Sequence, residues 1–140
     1  MRIEAVNVYF VRPRWGFVEI ITDTGLAGWG EAVLEGHAKA VLACVEEYRD
    51  YLIGKDPSRI EDIFSTIYRA GFYRSGGVMM SALSGIDQAL WDIKGKVFNA
   101  PCHELMGGRC RDRMLVYSWI GGDRPGDTGR AAREKMEAGF

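Results

Sequence analysis

The stretch Ser81–Lys96, reading SALSGIDQALWDIKGK, constrains this chain more than any other. Leu83, Ile86, Leu90 and Ile93 recur at three- and four-residue spacing. With Met79 and Val97 they mark one apolar stripe on a helix running from about Met79 to Val97. Ala82, Gly85 and Ala89 lie among those large residues and let neighbouring helices come close. A helix of this kind has to be packed on, so the rest of the chain must supply partners for it. Asp92 and Lys96, acid before base one turn apart, add only ~0.3 kcal/mol.

The partners are legible upstream. Val6, Val8 and Phe10 alternate with Asn7 and Tyr9, which predicts a strand with one apolar face. Phe17–Thr22 is a second β-branched run, and Asp23-Thr24-Gly25 is a tight-turn sequence with Gly25 free to take a positive φ. Leu26–Val33 returns as a third strand, and Gly28 and Gly30 beside Trp29 call for a close backbone approach or a bulge. The expectation is a three-stranded antiparallel meander. Helices follow. Ala38, Val41, Leu42, Val45, Tyr48 and Leu52 sit at helical spacing up to Gly54. A second helix, with Ile60, Ile63, Phe64 and Ile67 inward, opens near Asp56-Pro57-Ser58. Its cap is either Asp56 or Ser58 with Glu61. Gly71–Gly77 breaks the pattern before the long helix, and Pro101 opens a short turn that ends at Gly107-Gly108.

Met114–Ile120, MLVYSWI, has the near-continuous apolar character of a strand buried on both faces of a parallel sheet. Gly121-Gly122-Asp123 leads from it to a last helix, with Asp123 or Asp127 as the cap and Gly126 and Gly129 weakening it by about 1 kcal/mol each. The reading divides the chain into an α+β domain over residues 1–110 and a single strand and helix over residues 111–140. A parallel sheet needs several such units, so the expectation is that this is the N-terminal portion of a longer enzyme.

Charge and composition exclude several roles. The chain has 18 basic and 19 acidic residues, so no basic excess invites nucleic acid. No apolar run reaches the ~18 residues of a membrane span. Glu4 and Asn7 interrupt the apolar core that a signal peptide needs. Cys44, Cys102 and Cys110 cannot all pair within one chain, and none stands in a CxxC, which fits a reducing cytoplasm. Each is read as a small buried apolar residue.

Four segments together carry a family resemblance: GWGE (Gly28–Glu31), AGFYRSGG (Ala70–Gly77), SALSGIDQALWDIKGK (Ser81–Lys96) and LMGG (Leu105–Gly108). They resemble the N-terminal capping domain of the mandelate racemase and muconate lactonizing enzyme branch of the enolase superfamily. Within it, Tyr117–Pro125 (YSWIGGDRP) is most similar to acid-sugar dehydratases. The resemblance implies an enolase-like cap, with its three-stranded meander and helical bundle, followed by the first βα unit of an incomplete (β/α)8 barrel. A complete barrel takes ~250 residues. It also implies a homo-oligomer, a sugar acid as substrate, and Mg²⁺ held by carboxylates of later barrel strands. The reaction would be removal of the proton α to a carboxylate followed by loss of water. A racemase or epimerase of the same branch is the alternative, and a non-catalytic remnant or oligomerisation module is the alternative of a different class. No position of this chain matches the family's catalytic or metal-binding residues.

The same resemblance puts two loops of the cap over the substrate, Arg12–Phe17 and Gly71–Gly77. Arg14 and Arg74 offer guanidinium forks to a carboxylate or hydroxyls. Trp15 and Tyr73 offer aromatic walls against water. For each the plain alternative is a solvated loop residue. Ser118 and Trp119 are read as core packing, His37 as a cap or surface histidine, and Cys102, His103 and Cys110 lack zinc spacing. Glu31 and Glu35 read as surface charge.

Overall fold

The computed structural model describes all of residues 1–140 except Ser75 and Asp123. The described residues form two compact units, Met1–Gly108 and Arg109–Phe140.

The first unit opens with the antiparallel meander β1 (Ile3–Val11), β2 (Trp15–Thr22) and β3 (Ala27–Glu31), in that order across the sheet. Val6 pairs with Ile20 and Val8 with Val18, while Ile20 and Val18 pair with Gly28 and Gly30. An irregularity between Ile3 and Ala5 shifts the register, so that Ile3 and Val6 both turn inward. Phe10, on the same face as Val6 but near the hairpin tip, is exposed. The β2–β3 turn is closed as its sequence requires. Gly25 takes φ +82°, its N–H donates to the Thr22 carbonyl at 2.9 Å, and the buried Thr22 hydroxyl donates to the Leu26 carbonyl at 3.0 Å.

Four helices pack on the inner face or beside it, α1 (Ala38–Glu47), α2 (Arg49–Leu52), α3 (Ile60–Arg69) and α4 (Gly77–Phe98), and the short α5 (Cys102–Leu105) follows. The single run expected over Ala38–Leu52 is two helices because the chain tightens at Tyr48, whose N–H donates to Val45 three residues back. Arg49 then turns inward, and its Nε donates to the Val6 carbonyl of β1 at 3.0 Å. Neither expected cap of α3 forms. Asp56 accepts the Ser58 N–H at 2.9 Å and closes a local turn, so the helix starts only at Ile60.

α4 is the centre of the unit. Leu83, Ile86, Leu90 and Ile93 are buried against Val18, Ile20, Val41, Val45 and Ile63 in one core. Each such side chain contributes about 1.5–3 kcal/mol when fully buried. The ends of the stripe depart from the expectation, since Met79 is half-buried and Val97 is exposed. Ala82, Gly85 and Ala89 are fully inside. Asn99, in the left-handed conformation, ends the helix.

In the second unit, Met114–Ile120 carries no strand. Its apolar sequence predicts a buried parallel strand, but among the described residues no neighbouring strand exists to pair with it. Leu115, Tyr117 and Trp119 are therefore exposed, and Trp119 does not join a core. α6 (Pro125–Glu137) begins with Pro125 at its first position and has no side-chain cap. Asp127 lies in its first turn, and Asp123 lies outside the described residues.

Candidate functional site

The connection from β3 to α1 builds the site. Ala32, just past β3, donates its N–H to the Gly16 carbonyl at 2.9 Å. Gly16 has no room for a side chain, since a Cβ there would lie 2.6 Å from the Ala32 oxygen. The tip of the β1–β2 hairpin is thus pinned beside the residues that follow. A tight turn comes next, with His37 N–H donating to the Leu34 carbonyl at 2.8 Å and Gly36 at φ +79°. Together these place Glu35 opposite Arg14, and the two form an ion pair.

Arg14 also lies over the Trp15 ring, 5.0 Å from its centroid. Trp15 is partly exposed at the start of β2, with Val11 as its register partner. Beside this tip a hollow of about 350 Å³ is walled by Phe10, Pro13, Arg14, His37 and Lys39. Lys39 sits over the Phe10 ring at 5.4 Å. Arg14 and Lys39 place two basic side chains on the wall of the hollow, the first of them paired with Glu35.

The second loop runs from the end of α3 to Gly76, whose φ of +108° turns the chain into α4. Tyr73 is 84% exposed and packs edge-on against Phe72, itself 94% exposed, with centroids 5.3 Å apart. Arg74 is exposed as well. Aromatic rings this far out of the fold bury nothing within the unit. The start of α4 lies against Leu34, so close that a Cβ on Gly77 would be 3.0 Å from it. A second, open hollow of about 410 Å³ lies there, lined by Glu31, Val33, Met80, Ser81, Ser84 and Gln88.

One connection, residues 32–36, therefore touches both expected loops, through Glu35 at Arg14 and through Leu34 at Gly77. Among the described residues no hydrogen bond, ion pair or ring contact joins Arg14 or Trp15 to Tyr73. The reading from sequence missed Lys39 and Leu34, and it treated Glu35 as plain surface charge. His37 stands at the N-cap position of α1 but makes no side-chain cap bond. Cys44 is buried as expected, Cys102 is half-buried with its thiol donating to the Trp91 carbonyl at 3.4 Å, and Cys110 is exposed rather than buried.

Burial is the largest cause of a raised value at Cys44, Tyr48 and Asp87. Burial pushes the Tyr48 hydroxyl up to about 12, helped by its hydrogen bond with Cys44. Burial also raises the Asp87 carboxyl on α4, and the nearby Glu61 charge adds to it. None of the three lines the two hollows above. Among the described residues no set of three or more His, Cys, Asp or Glu is placed to hold a metal ion.

Residues 11–107 match the family model of the mandelate racemase / muconate lactonizing enzyme N-terminal domain. The chain belongs to that family and carries its N-terminal, enolase-like domain. It is similar to the D-galactonate dehydratases of Verminephrobacter eiseniae (strain EF01-2), at 56% identity, and Variovorax paradoxus (strain S110), at 55%. Both alignments cover all 140 residues, and the chain spans 37% of the length of each of these relatives. Among solved structures, an enolase from Pantoea ananatis with bound D-gluconate and Mg is 42% identical, with a TM-score of 0.87 over 99% of this chain and 35% of that one. A dehydratase-like protein from Mesorhizobium loti is 37% identical, with a TM-score of 0.92 over 100% of this chain and 40% of that one. No helix of the described residues is long and apolar enough to cross a membrane.

Proposed function

We propose that this chain is the N-terminal capping portion, residues 1–110 with the start of a barrel after them, of a dehydratase that acts on D-galactonate. The observation that carries the reading is 56% identity to a D-galactonate dehydratase across every residue of the chain. Three segments, Asp50–Ile60, Tyr68–Gly77 and Tyr117–Pro125, favour that sugar acid within the family. The reaction removes the C2 proton, expels the C3 hydroxyl as water, and leaves an enol that becomes the 2-keto-3-deoxy acid.

This portion binds and covers rather than reacts. Arg14 offers a guanidinium to the substrate's carboxylate or hydroxyls, held in place by Glu35, while Trp15 and Tyr73 close water out and Arg74 adds a second donor. Mg is bound in the similar Pantoea ananatis structure, but no described residues here are grouped to hold it. Its ligands, like the proton-transfer groups, would lie outside this chain.

The test is a product assay. The full-length protein that contains this chain should convert D-galactonate, and D-gluconate more slowly, into a 2-keto-3-deoxy acid detected by mass spectrometry. Residues 1–140 alone should convert neither. Epimerised sugar acid without loss of water would overturn the dehydratase reading in favour of a racemase or epimerase.

A further inference from the structure

β3 is an edge strand, yet several of its outward backbone groups are bonded. Trp29 donates its N–H to Asp92 Oδ2 at 2.9 Å. Glu31 donates its N–H to Gln88 Oε1 at 3.0 Å, and Gln88 Nε2 returns a bond to the Glu31 carbonyl at 3.3 Å. Lys96 Nζ donates to the Ala27 carbonyl at 2.6 Å and pairs with Asp92 at 2.8 Å. The three helix residues are spaced by four and the three strand residues by two. One turn of α4 rises 5.4 Å, and two residues of a strand advance about 6.6 Å. The helix can therefore serve successive outward positions of the strand with successive turns.

That match depends on how closely α4 lies on the sheet. Gly28 and Gly30, the alternate residues of β3, lie against the Ala89 and Gly85 carbonyls, where a Cβ would come within 2.1 and 1.9 Å. Only at that separation do side chains as short as Asp and Gln reach around to the strand's open edge.

We propose that Gln88, Asp92 and Lys96 act as a substitute fourth strand that closes the sheet against strand addition, and that a second copy of this chain is what they keep out. An edge strand presents unpaired N–H and C=O groups to any other strand, and proteins ordinarily block such edges with charge or cover. No fourth strand lies beside β3 among the described residues. The β3 edge of a second copy is the complement always present at equal concentration. The inference is independent of the catalytic reading.

Amide hydrogen exchange on the 140-residue chain tests it directly. Trp29 and Glu31 amides should be protected in the unmodified chain, and fast exchange at both would overturn the proposal without any variant. In Gln88→Ala/Asp92→Ala both amides should exchange about tenfold faster or more, while Gly28 and Gly30, paired to β2, keep their protection. The double variant should also associate more strongly than the parent with rising concentration in sedimentation. Adding Glu31→Pro, which removes an outward N–H without breaking the β2 ladder, should cancel that extra association. Asp92→Asn, which keeps an acceptor for Trp29, should leave the Trp29 amide protected. Unchanged exchange at Trp29 and Glu31, or association that Glu31→Pro does not reduce, would overturn the proposal.

Discussion

The backbone of Gly30 in β3 lies so close to the Gly85 carbonyl of α4 that a methyl group added at Gly30 would sit 1.9 Å from that oxygen. Backbone meets backbone here, and no side chain can yield to relieve a clash. Gly30→Ala should therefore cost at least the 1–3 kcal/mol typical of overpacking. Gly25→Ala is the useful contrast. Nothing lies within 4 Å of its Cβ position, but its φ of +82° makes alanine cost about 1–2 kcal/mol. Urea unfolding of both variants should rank Gly30→Ala as the more damaging, and the reverse order would mean that α4 moves away from β3 readily.

That contact marks how far the sequence alone could be read. Gly28 and Gly30 called for a close approach or a bulge, and the small residues of Ser81–Lys96 for a neighbouring helix; that strand and helix meet each other at these residues was not legible from residue size alone. The meander and the long helix followed from periodicity. The bonds from Gln88, Asp92 and Lys96 to the strand edge did not, because they join positions 57 to 69 residues apart and local spacing carries no such information. Asp92 and Lys96 read instead as an ordinary helical ion pair. Likewise Glu35 looked like surface charge until the turn at Gly36 set it against Arg14. Met114–Ile120 failed as a strand for another reason. Its composition suits a buried strand, but a strand exists only with a neighbour to bond to.

Asp87 sets a pH dependence whose sign is fixed by its surroundings. Burial and Glu61 raise its carboxyl above the ordinary value near 3.8, so the ionised form is the one that folding disfavours. Its favourable contribution is full below that ordinary value and is lost as pH rises through the raised folded value. Asp87→Asn, neutral throughout, should be more stable than the parent at neutral pH. The gap should close on acidification to below about pH 3.9, where both side chains are uncharged. Thermal unfolding across that range checks it, and a gap that widens toward acid would contradict it.

Arg14 and Glu35 should separate binding from stability. The pair is exposed and worth only about 0–1 kcal/mol to folding. Arg14→Ala in the full-length protein should leave the melting temperature nearly unchanged. It should raise KM for the sugar acid by about tenfold or more if the guanidinium holds the substrate, as a lost charged hydrogen bond would. Glu35→Gln should raise it less. An unchanged KM in Arg14→Ala would remove this residue from the substrate site.

The two units should behave differently when separated. Among the described residues all the buried core residues lie between Ile3 and Ile93, whereas Leu115, Tyr117 and Trp119 are 99%, 93% and 81% exposed. A chain ending at Gly108 should unfold cooperatively and bind less of a hydrophobic dye than residues 1–140, because it lacks that exposed apolar segment. Equal dye binding by both would mean the segment is covered in solution.

The most direct test of the central claim is to isolate, from source cells and with an antibody to residues 1–140, the native protein that carries them. Its intact mass and its action on D-galactonate would then be measured together. The expected result is a product of about 40 kDa, as this cap plus a ~250-residue barrel requires, that releases a 2-keto-3-deoxy acid. A product of 15.6 kDa, the mass of this chain alone, or a longer one that leaves D-galactonate unchanged, would contradict it.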